Sequence, residues 1–399
     1  MMIFVIQSVN SANTLATDIL NLGGVLTLSN TTSYPVLDQL YYKNKSERLI
    51  SENSQQLRLI SEGEISPIIS YEFHVTSTNR HINIQQQNLQ TKNIYRVKSL
   101  QHNTIDESGI SNTNRWSQEI DRLALSAEFS QLRINAGRQP ISWGSGRFWQ
   151  PLDVFGAFSA IDIEREFKPG IDLIALDYYP SHFSNLTLLY TFSPSDDPQL
   201  ADSQGLRYQT QIGEQSAISL MLANITDNLV LGGSFETDWI EAGWRFEGII
   251  FEEFDSSNIE GFFIVGVDYQ LKNETLIAAE YYYNSSGAST TQEVGKQFTS
   301  PLVLFGLQKQ LSSQLFGLSL QNTLSPLVTA NYTLLTAYSN DSEISTLHQL
   351  AGIISLSNES ELRLTLLLTS GEKLSDTGSP QSEFGHIPIA GGLKYKYYF

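Results

Sequence analysis

The chain has 399 residues and carries 42 acidic against 24 basic side chains, a formal charge of −18 at pH 7. That balance argues against a nucleic-acid binder, which needs a basic face to neutralise phosphates. The count of zero cysteines removes disulfide scaffolds, thiolate metal sites and cysteine nucleophiles together.

Mean hydropathy is −0.17, and no apolar run approaches the roughly 18 residues of a membrane helix. A membrane β-barrel stays open, because alternating strands hide their apolar content from a window average. Aromatic residues make up 11 % of the chain and charged residues only 17 %, against about 25 % charged in a soluble domain. A barrel with a neutral polar lumen and aromatic girdles has this mixture; a large soluble β-sandwich or β-helix is the competing class.

Met1–Ile6 is a short apolar run, followed by the small and polar residues Gln7–Ala12. It resembles the tail of a secretory signal without its basic region, so residues 1–12 are expected to be a signal remnant and 13–399 the barrel. A buried first strand is the alternative.

Strict alternation then recurs along the chain. In Leu362–Leu368, Leu362, Leu364, Leu366 and Leu368 share a face opposite Arg363 and Thr365. Nineteen such stretches run from 24–30 to 390–399, one of them at 301–310. A bacterial single-chain barrel has an even number of strands. One stretch is therefore surplus, either between 285 and 326 or at the first strand, and the expectation is 18 strands, with 16 as the alternative. Ser66-Pro67, Lys272-Asn273 and Asn358-Glu359 read as short turns. The polar stretch 78–120 reads as a large loop.

The densest chemistry runs from Gly137-Arg-Gln-Pro through Trp143-Gly, Arg147-Phe-Trp149 and Pro151-Leu-Asp153 to Pro169-Gly170. A strand ending G-R-Q, then W-G, P-x-D and a later P-G, resembles families of proteobacterial outer-membrane barrels, largely of unknown function, with porin-like and alginate-export-like neighbours. The resemblance implies an all-β transmembrane barrel in the bacterial outer membrane and carries no substrate. Read from its residues, the loop 142–169 should fold into or against the barrel mouth, because its aromatics are costly to leave exposed. Arg138, Arg147, Asp153, Asp162, Glu164, Arg165 and Lys168 are its constriction candidates, with Arg138 and Arg147 meeting Asp153, Asp162 or Glu164 across the lumen. Ion pairs that merely tie the loop down are the alternative.

Further along, Arg245, Glu247, Asp268 and Glu280 fall on the face opposite Trp244, Val267 and Tyr281 and should point into the lumen. In the last strand, Leu393, Tyr395, Tyr397 and Phe399 share one face. Their pattern, ending in a terminal Phe, looks like the signal by which outer-membrane barrels engage their assembly machinery. Phe399 should pair with the first strand, since an open edge in lipid leaves backbone groups unsatisfied.

None of His74, His81, His102, His182, His348 and His386 forms a His-x-x-x-His or His-Glu pair, so no metal site and no cofactor are expected. His182 and Ser184 raise only a remote phospholipase-like reading. The expected function is a porin-like channel for small polar solutes or ions. The alternative is a structural or export-complex barrel with a plugged lumen. Expected partners are outer-membrane lipid and lipopolysaccharide, the assembly machinery and small polar solutes, with a homo-oligomer possible and no nucleic acid.

Overall fold

The computed structural model describes residues 20–34, 49–83, 86–87, 94–98, 100–103, 110–111, 114–156, 166–194, 200–252, 258–304, 308–341, 343–375 and 378–399. The signal remnant 1–12 and the site candidates Asp162, Glu164 and Arg165 lie outside the described residues.

Eighteen antiparallel strands close into one barrel. They are β1 (Asn21–Tyr34), β2 (Ile50–Ser66), β3 (Ile69–Ile82), β4 (Asn114–Phe129), β5 (Leu132–Gln139) and β6 (Ile171–Ser181). Next come β7 (Ser184–Thr191), β8 (Ser203–Ile212), β9 (Ser216–Ile225), β10 (Asn228–Trp239), β11 (Ala242–Glu252) and β12 (Ile259–Gln270). The last six are β13 (Leu276–Asn284), β14 (Gln314–Ser325), β15 (Val328–Tyr338), β16 (Ile344–Ser357), β17 (Ser360–Ser370) and β18 (Ile389–Tyr398). Each strand pairs with its sequence neighbours, and β1 pairs with β18 from Val25–Tyr398 to Tyr34–Ile389. Two further bonds finish the seam: Gly24 N donates to Phe399 O at 2.8 Å, and Phe399 N donates to Gly24 O at 3.0 Å. No edge remains for lipid to meet.

Outward positions carry the apolar residues. Leu364, Leu366 and Leu368 of β17 are 40–47 % exposed, as the alternation requires. At the end with the short turns, Phe129, Phe183, Trp239 and Phe399 form an exposed aromatic rim, the position of an interfacial girdle. Two tight connections, Thr226-Asp227 and Ile240-Glu241, have positive φ at both residues, the geometry that matches the twist of hairpin strands.

Two expected segments differ. Where it is described, the stretch 301–310 is not a strand: Pro301–Leu304 forms one helical turn, α2, after the helix α1 (Thr291–Gln297). Proline suits the first position of a helix, where no N–H is needed, and Val303 N donates to Ser300 O at 3.1 Å. This apolar run caps the barrel instead of crossing it, which settles the count at eighteen. The polar loop is also shorter than 78–120. β3 continues to Ile82 and β4 starts at Asn114, because polar residues suffice where the wall rises beyond the apolar belt.

The seam is tight enough to test. A Cβ on Gly24 would lie 2.5 Å from the Phe399 ring and 2.7 Å from the Arg58 carbonyl. Gly24→Val should destabilise the folded barrel by about 1–3 kcal/mol in urea unfolding from lipid vesicles. Adding Phe399→Ala should return only part of that loss, because the ring is one of two obstacles.

Candidate functional site

The segment between β5 and β6, residues 140–170 (L3), leaves the wall at Pro140 and enters the lumen. Its apolar residues Trp143, Phe148, Trp149, Leu152 and Phe155 are all at most 5 % exposed and join one cluster with inward residues of the wall. Small wall residues make room for the rings: Trp143 rests on Gly205 and Phe148 on Gly317. The long-loop half of the lumen is therefore apolar, a feature hidden by strands such as β12. There Phe262 and Ile264 point inward and Phe263 and Val265 outward, so both faces read as hydrophobic.

A loop inside an apolar lumen must satisfy its amides. Two wall carboxylates do this. Glu247 accepts Ser145 N at 2.6 Å, Ser145 Oγ at 3.0 Å, Gly146 N at 3.3 Å and Leu152 N at 2.6 Å. Glu280 accepts Arg147 N at 2.8 Å, Phe148 N at 3.2 Å and Trp149 N at 2.9 Å. Both side chains are buried, 3 % and 1 % exposed. They face inward, and their partners are L3 amides and the Ser145 hydroxyl.

L3 is also tied to itself. Lys168 donates to Asp153 and to the Ile141 carbonyl, and Asp153 accepts Trp143 N at 3.4 Å. Burial pushes the Asp153 carboxyl up and the Lys168 ammonium down, while their mutual contact opposes both shifts. Tyr95 of the preceding long loop (L2, 83–113) donates to Val154 O at 2.8 Å.

Where L3 departs, the wall would have a hole. L2 fills it: Gln101–Asn103 pairs with Ser117–Glu119 of β4, and Asp172 N donates to Tyr95 O at 2.9 Å. Arg138 does not meet Asp153 across the lumen. It pairs through two nitrogens with Asp172, at 2.7 and 2.9 Å, and donates to Ile120 O and Lys98 O. Gly137 at φ 122° makes the turn that sends it there. A Cβ on Gly137 would lie 2.1 Å from Leu123 O, so only glycine fits.

A bulge adds to this join. β3 pairs with β4 in register except between His74 and Val75, where Asp121 is the extra residue. It lets Asp121 and its neighbour Arg122 both be buried, which simple alternation forbids. Asp121 accepts Arg58 Nη1 at 2.8 Å, Arg122 Nη1 at 2.9 Å and Gly170 N at 3.2 Å. Phe167 lies over Arg58, 4.1 Å from the guanidinium carbon to the ring centroid. These arginines carried no signal beyond being charged residues in strands.

Of the remaining sequence candidates, Arg147 has an exposed side chain. Arg245 pairs with Asp268 on the wall of a cavity of about 820 Å3 at the short-turn end, lined also by Asn185, Gln209 and Glu236. Leu393, Tyr397 and Phe399 are exposed on the outside of β18, with Tyr395 partly buried. On the inward side of the same strand, Lys396 pairs with Glu166 at 2.7 Å. Ser184 Oγ bonds with Ser181 and Thr210, and His182 is not among its partners within the described residues. Glu62, Glu72 and His74 bring ligand-type atoms within 4.8 Å of one another. Arg122 Nε already lies 3.3 Å from Glu72, so a cation there would meet a guanidinium.

No protein-family model matches the sequence, and no curated protein matches it. Solved structures are similar in fold. OccAB4 of Acinetobacter baumannii superposes with a TM-score of 0.62 at 8 % identity, covering 96 % of this chain and 98 % of that one. OccAB1 of the same organism gives 0.57 at 9 %, covering 95 % and 96 %. OpdK of Pseudomonas aeruginosa, solved with vanillate, gives 0.56 at 8 %, covering 95 % and 98 %. The chain has the fold of a Gram-negative outer-membrane porin.

The clamp predicts a local effect. Glu280→Gln replaces a full carboxylate facing three amides by one carbonyl and a mismatched donor. Amide exchange at Arg147–Trp149 should quicken, each lost bond costing about 1–3 kcal/mol of local protection, while the exchange of β17 amides stays unchanged.

A second clasp lies on the long-loop side. Glu383, in the loop 371–388 (L9), accepts Leu311 N at 2.8 Å and Ser312 N at 2.6 Å from the loop 285–313 (L7). Burial pushes its carboxyl up to about 7. A raised carboxyl favours the folded clasp when protonated, so that contribution is whole below the ordinary value near 4.5 and gone above about 7. Between pH 5 and pH 8, protection of the Leu311 and Ser312 amides should fall in the wild type. The fall should be smaller in Glu383→Gln, which keeps an accepting oxygen and does not titrate.

Proposed function

We propose that the protein is an outer-membrane channel for small polar solutes, with L3 as its constriction. One observation carries this reading: an eighteen-strand lumen is narrowed by an inward loop fixed by Glu247 and Glu280, above a wide polar vestibule of about 820 Å3. Eighteen strands enclose more than their own side chains can fill. The fold shared with OccAB4 and OpdK supports the same reading. Arg147, Asp153 and Lys168 of L3 and Glu247 and Glu280 of the wall are proposed as the charged residues that define the narrowing, with Arg245 and Asp268 as lumen-facing charges of the vestibule. Arg138 acts on the wall join.

A plugged barrel is the second reading, favoured by the apolar packing of L3 over the long-loop half of the lumen. Conductance separates the two. Purified protein in planar bilayers should give small, discrete current steps, and Glu247→Gln/Glu280→Gln should enlarge them and add flicker. Folded barrel that inserts and conducts in neither form would sink the channel reading.

A further inference from the structure

Above L3, towards the long loops, the barrel encloses a cavity of about 240 Å3 that neither the carboxylate clamp nor the vestibule uses. Phe298 of L7, Leu335 of β15 and Phe384 of L9 give it apolar walls. Trp149 of L3 lines it from below. That indole is 2 % exposed, and its N–H has no acceptor among the described residues, an arrangement that costs free energy until an acceptor arrives. His386 of L9 lines the same cavity. Its Nδ1 lies 3.1 Å from the Ser382 carbonyl, so Nδ1 carries the proton and Nε2 is left as an acceptor. Burial holds the imidazole below its ordinary pKa and therefore neutral.

An apolar cavity of about 150 Å3 accommodates benzene, so this one takes a single substituted ring. A buried donor without an acceptor and an imidazole nitrogen able to accept call for one group that is both, which is a hydroxyl. We propose that this cavity binds an uncharged monocyclic aromatic alcohol of the phenol class, its oxygen accepting from the Trp149 indole and its proton donated to His386 Nε2. An aromatic carboxylate would meet the buried Glu383 on the same wall. An aromatic ammonium offers the indole no acceptor. Lys309 stands exposed at the edge of the cavity, and the charged probes below also test its influence.

The test is calorimetric titration of the purified full-length barrel in detergent with phenol, benzene, benzoate and benzylamine, with folding checked by heat-modifiable gel migration. Phenol should bind saturably at one site, and the other three probes about tenfold or more weakly, as for one unmet hydrogen bond or an opposed charge. Trp149→Phe keeps a ring and removes the N–H, and should weaken phenol about tenfold. It should leave benzene unchanged, which a merely structural loss would not do. Ile387→Phe fills the cavity from L9, away from the clamp, and should abolish binding even if Trp149→Phe fails to fold. Absence of saturable phenol binding, or phenol affinity unchanged in Ile387→Phe, overturns the site. Benzene or benzoate binding as tightly as phenol overturns the assigned class. No current is measured, so failure here leaves the channel reading standing.

Discussion

The structure turns on a backbone problem. The described part of L3 is folded into a lumen whose long-loop half is apolar, and every amide taken there must find an acceptor. Glu247 and Glu280 resolve it from the wall, each gathering the successive N–H groups of one tight stretch, Ser145–Gly146 and Arg147–Trp149. Carboxylates suit this place because each offers about four lone-pair sites in a compact group. Amides converging on one anion hold a loop in a single register.

Energetically the two halves of the arrangement differ. Burying aromatic and aliphatic side chains contributes about 1.5–3 kcal/mol apiece, and the described part of L3 buries six of them. Taking a carboxylate out of water costs several kcal/mol, which good hydrogen bonds only offset. The apolar packing therefore drives L3 inward, and the carboxylates select where it stops. The same division appears at the wall join. Removing L3 from the wall leaves unpaired strand edges, and L2 supplies the missing pairing at Gln101–Asn103. Asp121 and Asp172 then fix the arginines that would otherwise be buried charges without partners.

The barrel was legible because its information is local. Alternation sets the face of each residue, short turns set the neighbours, and the terminal Phe399 marks the closing strand. What alternation cannot carry is any departure from it. The bulge at Asp121 shifts the phase, and the positive φ of Gly137 re-aims Arg138 without a change of register, so Arg122 and Arg138 reach partners that a strict period of two denies them. The stretch 301–310 misled for the opposite reason: it is apolar enough for a strand, but Pro301 begins a helical turn on the cap. The inward aim of Glu247 and Glu280 could be read from their strands. Their attachment to L3, more than a hundred residues earlier for Glu280, could not.

The clamp also explains why a chain of net charge −18 can carry a nearly electroneutral join beside an acidic wall. Arginines concentrate on β2, β4 and β5 and in L2, where carboxylates answer them. On the far side Glu247 and Glu280 are answered mainly by amides, which neutralise without adding charge. Amide dipoles satisfy a carboxylate's lone pairs yet leave its field less fully cancelled than a guanidinium does. The two sides of the lumen therefore present different potentials, although each of these buried groups is individually satisfied. Such a difference persists in salt better than one made by exposed charges, because the carboxylates lie where screening ions do not reach.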